Sequence, residues 1–152
     1  RGYRETGRAF STAITTRVTM TTTASPLMSI RLANGYNRGS LKLRYADLMS
    51  TSNQSIIYQI VYGATLTGAS WQDNDVVNSG VQYDLSATAF SGGRVIESGF
   101  MAAQNRQVQV NSVNSFDVPN ASISGVPEVV SLIIQTTGNA ATYGSLTWQE
   151  SY

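Results

Sequence analysis

Apolar and polar residues alternate with a period of two along much of this chain, and the pattern is strongest over residues 55–63. This stretch is crowded with isoleucine, tyrosine and valine, which pack well on the pleated surface of an extended chain. One face carries Ile56, Tyr58, Ile60 and Tyr62, and the other carries Ile57, Gln59 and Val61. Because both faces are mostly apolar, the stretch predicts a strand near the middle of a packed sheet, with Ile60 buried.

The same alternation predicts further strands on either side of this stretch. They cover residues 9–22 (one bent strand or two short ones), 27–33, 40–47, 81–89, 94–103, 107–113, 129–135 and 143–150. The second and third of these flank a dense turn signal at residues 34–39 and are predicted to pair as a hairpin. Gly99 interrupts an apolar strand and is predicted to form a bulge.

No segment carries the sustained 3.6-residue apolar period of an amphipathic helix. About eight to ten strands joined by turns predict an all-β fold, an antiparallel two-sheet sandwich. The long connections between some strands favour a jelly roll. An immunoglobulin-type sandwich is the alternative, although its usual Cys and Trp markers are missing. The length of 152 residues fits one domain, predicted over residues 9–152 after an N-terminal arm of residues 1–8.

Charged residues make up 12% of the chain, against about 25% in an average globular domain. Serine, threonine, asparagine, glutamine and glycine take their place. Such a surface is typical of sandwiches that pack against neighbouring molecules, and equally of secreted or extracellular β domains. No apolar run approaches the about 18 residues of a membrane span, so no membrane partner is predicted.

The small net charge of +1 conceals an uneven distribution. Residues 1–50 carry eight basic and two acidic side chains, whereas the remainder carries two basic and seven acidic ones. Opposite charges in two parts of a chain suit head-to-tail contact between copies, or a basic arm on an acidic partner. A solvated pair of basic strands is the simpler alternative. In the arm, Arg1, Tyr3, Arg4 and Arg8 are predicted to contact a partner protein's carboxylates, not nucleic acid.

The residue types available argue against an enzyme. The chain contains no cysteine and no histidine, which excludes disulfides, thiolate metal sites and the commonest general base. Asp73 and Asp75 are the closest carboxylates in the sequence and could in principle bind Ca²⁺. They lack the downstream Gly and Glu of an EF-hand loop, so a solvated loop is favoured. We therefore predict no catalytic residues, no metal and no cofactor.

Three aromatic residues fall in predicted loops or at strand ends, namely Tyr36, Trp71 and Tyr143. Exposed aromatic rings could form a shelf that binds a glycan. Tyrosines beside asparagine and glycine are equally common at protein interfaces. The sequence leaves both interpretations open.

The segment from Tyr143 to Glu150 reads Tyr-Gly-Ser-Leu-Thr-Trp-Gln-Glu. It resembles the Gly-Ser-Leu-Thr-Trp-(Arg/Gln)-Glu ending of β domains in tailed-bacteriophage structural proteins. Residues 63–71, 86–89 and 91–93, together with Gly99, extend the similarity over roughly residues 40–150. The resemblance implies a component of the virion surface, a capsid decoration protein, head fibre or tail fibre, often trimeric. It supplies no catalytic residues.

Two hypotheses follow. In the leading one, the chain is a non-enzymatic virion structural protein whose partners are other copies of itself, as a homotrimer, and the major capsid or another virion protein. In the alternative, it is a receptor- or carbohydrate-binding module at a tail-fibre tip. A hydrolase is disfavoured by the absence of histidine and of paired carboxylates.

Overall fold

The computed structural model describes residues 8–14, 18–32, 40–50, 53–77, 79–101, 107–111, 117–118 and 129–151. In these ranges the strands pair antiparallel, and no helix occurs there that could cross a membrane. The predicted all-β class is therefore confirmed. The strands are β1 (Arg8–Ala13), β2 (Val18–Met20), β3 (Ser25–Leu32), β4 (Ser40–Ser50), β5 (Ile56–Tyr62), β6 (Thr65–Thr67), β7 (Gln72–Asp73), β8 (Val81–Asp84), β9 (Ala89–Ser91), β10 (Arg94–Met101), β11 (Gln107–Asn111), β12 (Asp117–Val118), β13 (Val129–Thr136) and β14 (Ala140–Ser151).

The strands form two large sheets and one small one. The first sheet has the order β1-β14-β4-β11, with β2 also pairing with β14 and β12 with β4. The second sheet has the order β10-β5-β13-β3-β8-β7, and β6 pairs with β9. If the eight main strands β1, β3, β4, β5, β10, β11, β13 and β14 are numbered in chain order, the sheets read 1-8-3-6 and 5-4-7-2. This is the jelly-roll order, so the favoured topology is confirmed.

The strand predicted to be central, β5, pairs on one side with β10 and on the other with β13. Ile60 lies opposite Leu132 and is 2% exposed, which confirms its predicted burial. The predicted hairpin of residues 27–33 and 40–47 is wrong, because β3 belongs to the second sheet and β4 to the first. A turn signal marks a reversal of the chain but does not say whether the next strand stays in the same sheet.

The two sheets enclose a single large core. In β14 the alternation of the sequence matches the alternation of buried and half-buried positions. Even-numbered residues from Ala140 to Glu150 are buried, while odd-numbered ones are half-buried. Trp148 is fully buried and its ring stacks on Phe10, with 6.5 Å between ring centroids. The sheets approach closely at Gly144, where a Cβ would lie only 2.7 Å from Cδ2 of Leu27.

The outer face of the second sheet is covered by the segment between β5 and β10. Val61, Ala64 and Ile133 form a small buried cluster there, and Phe90 of β9 packs against it. The covering loops are held by Asp84, which is 1% exposed and accepts hydrogen bonds from several groups. The donors are the backbone nitrogens of Ser70 (2.8 Å), Ser86 (3.1 Å) and Ala87 (3.0 Å) and the Ser86 hydroxyl (2.8 Å). Burial on both faces explains why β5 and β13 are apolar on both sides.

Candidate functional site

The structure places the residues singled out in the sequence at separate points. Arg1, Tyr3, Arg4 and Tyr36 lie outside the described residues. Arg8, the last residue of the predicted arm, is the first residue of β1, and its Cα lies opposite that of Glu150. Trp71 precedes β7 beside the second sheet, whereas Tyr143 lies on β14 of the first. The two described aromatic residues therefore do not form a common shelf.

Trp71 belongs to a polar network on the second sheet. The guanidinium of Arg31 lies 4.3 Å from the centroid of its ring, a cation–π contact. Arg31 Nε donates to Gln82 Oε1 at 3.1 Å, and Gln82 Nε2 donates to Asp73 Oδ1 at 3.2 Å. Burial lowers the pKa of Arg31, yet an arginine so bound stays charged. Because the cation occupies one face of the Trp71 ring, that face is not open to a ligand.

The two neighbouring carboxylates considered for Ca²⁺ both have partners within the protein. Asp73 accepts the bond from Gln82, and Asp75 Oδ1 accepts one from the backbone nitrogen of Val77 at 3.0 Å. The second bond forms an Asx turn at the tip of the β7–β8 hairpin. The described ranges contain no group of three or more side chains suited to hold a metal. The geometry therefore assigns these aspartates to the hairpin.

The C-terminal motif contributes a buried carboxylate that ties this hairpin to the first sheet. Glu150 is fully buried and accepts hydrogen bonds from the hydroxyl of Ser79, from Gly80 N at 2.8 Å and from Trp148 Nε1 at 2.9 Å. We call this arrangement the Glu150 clasp. Sequence reasoning missed it, although Glu150 follows Trp148 by two positions on the face of β14 that packs inward. A glutamate in register with buried apolar residues was the available signal.

The first sheet, in contrast, has an outer face without buried side chains among its described residues. Near one end, Tyr143 lies opposite Met49, and Ser145 opposite Asp47, in the pairing of β14 with β4. Together with Ile14, Leu48 and Gly144 these four residues line an open depression of about 160 Å³. We call it the Tyr143–Asp47 depression. The Asp47 side chain is half-buried, and in the part of the protein that the structure describes its carboxylate has no hydrogen-bond or ion-pair partner.

Exposed apolar side chains lie along the second sheet, near both of its outer strands. On β10, Phe100 is 80% and Val95 48% exposed. At the opposite side, Val76 and Val77 at the tip of the β7–β8 hairpin are 77% and 87% exposed. We call these the β10 edge and the hairpin edge. Val76 and Val77 are adjacent in the sequence, whereas Val95 and Phe100 lie near opposite ends of β10. Contiguous exposed apolar area is typical of interaction surfaces.

Comparisons with protein-family models, with curated proteins and with solved structures found no match to this chain. The surfaces described above offer apolar contact, hydroxyl and carboxylate hydrogen bonding, and the aromatic rings of Phe100 and Tyr143.

Proposed function

We propose that the chain is a non-enzymatic structural component of a tailed-bacteriophage virion, a capsid decoration protein or fibre component at the virion surface. It acts through protein–protein interfaces. The observation that carries the proposal is the presence of two exposed apolar edges on opposite sides of one sheet. The sequence resemblance of residues 143–150 to phage β domains supports the virion setting.

The two edges suit assembly of identical copies. When one copy's β10 edge meets the next copy's hairpin edge, the contact joins two different surfaces and is heterologous. Such contacts close into a ring when the rotation between neighbours divides a full turn. Phe100 on one side and the two valines on the other supply apolar area, and aromatic anchors carry much of the energy of interfaces. Three copies per ring is the state that the resemblance implies.

The charge distribution adds a second contact. Residues 1–50 carry the basic excess and the remainder the acidic excess. The arm residues Arg1, Tyr3, Arg4 and Arg8 bind carboxylates of a neighbouring subunit or of the major capsid protein, because guanidinium groups form bidentate pairs with carboxylates. The uneven charge distribution along the chain therefore favours both the head-to-tail contact between copies and the contact made by the basic arm.

Light scattering after size-exclusion chromatography tests the assembly. We expect the full chain to elute with three times its mass of 16.4 kDa. Phe100→Ser and Val77→Ser should each lower the measured mass toward that of the monomer. Each replaces an exposed apolar side chain and leaves the core unchanged. Leu85→Ser is the matched control, because Leu85 is also exposed (42%) but is on neither edge. A monomeric parent, or equal mass in all three variants, contradicts the proposal.

The virion setting has its own experiment. Particles of a tailed phage whose genome encodes the chain are labelled with an antibody raised against the chain and viewed by electron microscopy. Label on heads or tails at regular positions is the expected result. Particles that carry no label, while the antibody detects the chain in the cell lysate, would exclude a virion component whatever the oligomeric state.

A further inference from the structure

The Tyr143–Asp47 depression combines four side chains whose arrangement follows from the register of two strands. Tyr143 and Ser145 project from the same face of β14, and Met49 and Asp47 lie opposite them on β4. Side chains two apart on a strand are about 6–7 Å apart, and directly opposed ones about 5 Å. An aromatic ring, a thioether, a carboxylate and a hydroxyl thus surround one small area.

Buried backbone forms the floor of this area. Gly144 and Leu48 lie beneath it and are buried, and the backbone nitrogen of Ile14 donates to the carbonyl of Gly144 at 2.8 Å. The four side chains project from β14 and β4, and both are central strands because each has a paired strand on either side. The side chains therefore project from a fixed base, which lowers the entropy that binding costs.

We propose that the Tyr143–Asp47 depression binds one ring of an uncharged hexose-containing glycan. A sugar ring presents a face of C–H groups, which packs on an aromatic ring, and an edge of neighbouring hydroxyls. The Asp47 carboxylate accepts hydrogen bonds from two hydroxyls, as charged acceptors form the stronger bonds. Ser145 can donate or accept a further one.

Size and charge select the ligand class. The volume of about 160 Å³ is well below the about 300–1,000 Å³ of sites for drug-sized molecules, and it suits one ring. The carboxylate repels uronic and sialic acids, which carry a negative charge themselves. A protein segment would have to bring a cation to Asp47, because leaving a carboxylate buried and unpaired is costly.

This inference does not depend on the proposed assembly, since the depression lies on the outer face of the first sheet and the two apolar edges belong to the second. A ring of copies joined through those edges keeps several depressions exposed at once. Several weak sites on one particle raise the apparent affinity for a surface glycan by avidity.

Nuclear magnetic resonance titration of the full chain with glucose, galactose, mannose and N-acetylglucosamine, and with oligosaccharides built from them, is the experiment. We expect at least one sugar to shift the amide signals of Asp47, Tyr143 and Ser145. Tyr143→Ala and Asp47→Asn should each weaken binding about tenfold or more, the cost of one lost aromatic or charge-assisted contact. Tyr143→Phe, which keeps the ring, should retain most of the affinity.

Thr147→Ala is the control, because Thr147 lies on the same face of β14 outside the depression. It should bind like the parent, and the melting temperature of each variant verifies that it is folded. The proposal is overturned if none of the sugars shifts these signals, if Tyr143→Ala binds as well as Thr147→Ala, or if sialylated sugars bind best. Unchanged oligomer mass in Tyr143→Ala separates this outcome from any failure of the assembly proposal.

Discussion

Among the residues that the structure describes, Glu97 has a buried carboxylate oxygen, Oε2, without a hydrogen-bond partner. The side chain lies beside Tyr58, which belongs to the neighbouring strand β5. Burial raises the pKa of Glu97. The pKa of Tyr58 is raised by burial and, second, by the charge of Glu97. An inward-pointing charge beside the bulge between Val95 and Glu97 is one way in which proteins keep outer strands from pairing indiscriminately.

Glu97→Gln should stabilise the protein at neutral pH. In the folded chain the pKa lies above the unfolded value of about 4.3, so the folded state holds its proton to higher pH. Stability therefore falls as pH rises through the folded pKa, and the full penalty is present above it. We expect a gain of about 1 kcal/mol or less at pH 7, since the side chain keeps some exposure, and none below about pH 4. Thermal melts at both pH values measure this, and a gain independent of pH would contradict it.

Two adjacent glycines allow the cost of backbone strain to be measured apart from the cost of a steric clash. Gly92 and Gly93 both have positive φ, 68° and 87°. A Cβ on Gly92 meets nothing within 4 Å, whereas one on Gly93 would lie 2.7 Å from Cγ1 of Val61 and 3.0 Å from the backbone of Ala64. The two positions therefore share a conformational requirement but differ in space.

Gly92→Ala should lower the free energy of unfolding by about 1–2 kcal/mol, the strain of a left-handed residue. Gly93→Ala should cost at least about 1 kcal/mol more, because the small cluster must also move to accept the methyl group. Urea denaturation of the two variants gives the difference directly. Equal losses would mean that the segment between β5 and β10 yields freely at Gly93.

At the scale of strands, the sequence predicted where strands form, because this depends on local alternation. It did not predict which strands pair, because this depends on residues far apart in the chain. Strands β5, β13 and β14 were predicted because their alternation and β-branched content are visible in a few residues. The pairing of β3 and β4 was mispredicted, since that choice is decided by contacts with β13 and β14 far along the chain. The bulge was expected at Gly99, which instead pairs with Tyr58, and occurs between Val95 and Glu97.

The Glu150 clasp makes the β7–β8 hairpin and the first sheet depend on each other. Glu150→Ala leaves the donors of Ser79, Gly80 and Trp148 buried and unpaired, so we expect a loss of about 3 kcal/mol or more. Glu150→Gln keeps one acceptor and should lose less. Denaturant unfolding measures both, and hydrogen exchange should show the hairpin amides opening first. Wild-type stability in Glu150→Ala would show that the clasp contributes little.

At the scale of the whole molecule, the class of fold follows from the pattern, but the surfaces do not. Period-two alternation and the absence of helical periodicity indicate a sandwich. In the segment between β5 and β10, β6 and β7 were assigned to a long connection because they are only three and two residues long, whereas residues 81–89 were predicted as one strand, of which the structure forms β8 and the first residue of β9. Tyr143 could be singled out by its residue type. Its neighbour Asp47 could not, because a single-residue change of register would place that carboxylate on the other face.

The predicted arm can be tested by deleting residues 1–7, which leaves β1 complete from Arg8. The melting temperature should stay nearly unchanged, because this polar segment has few apolar residues to bury. Binding to purified particles should weaken, and the full-length chain should lose part of its advantage in high salt, which screens exposed charge pairs. Co-sedimentation with particles measures occupancy. Equal occupancy of both forms at low and high salt would exclude the arm as a contact.

The pairing of β1 with β14 also determines how the molecule bears tension. Arg8 lies opposite Glu150, so the described chain enters and leaves the sandwich side by side. Pulling these two ends apart acts along the cross-strand hydrogen bonds, which lie perpendicular to the strands. The hydrogen bonds between β1 and β14 then break one pair at a time, which requires little force. A force applied at the β10 edge and the hairpin edge acts across the second sheet instead. It does not pull on the hydrogen bonds between β1 and β14 in the first sheet.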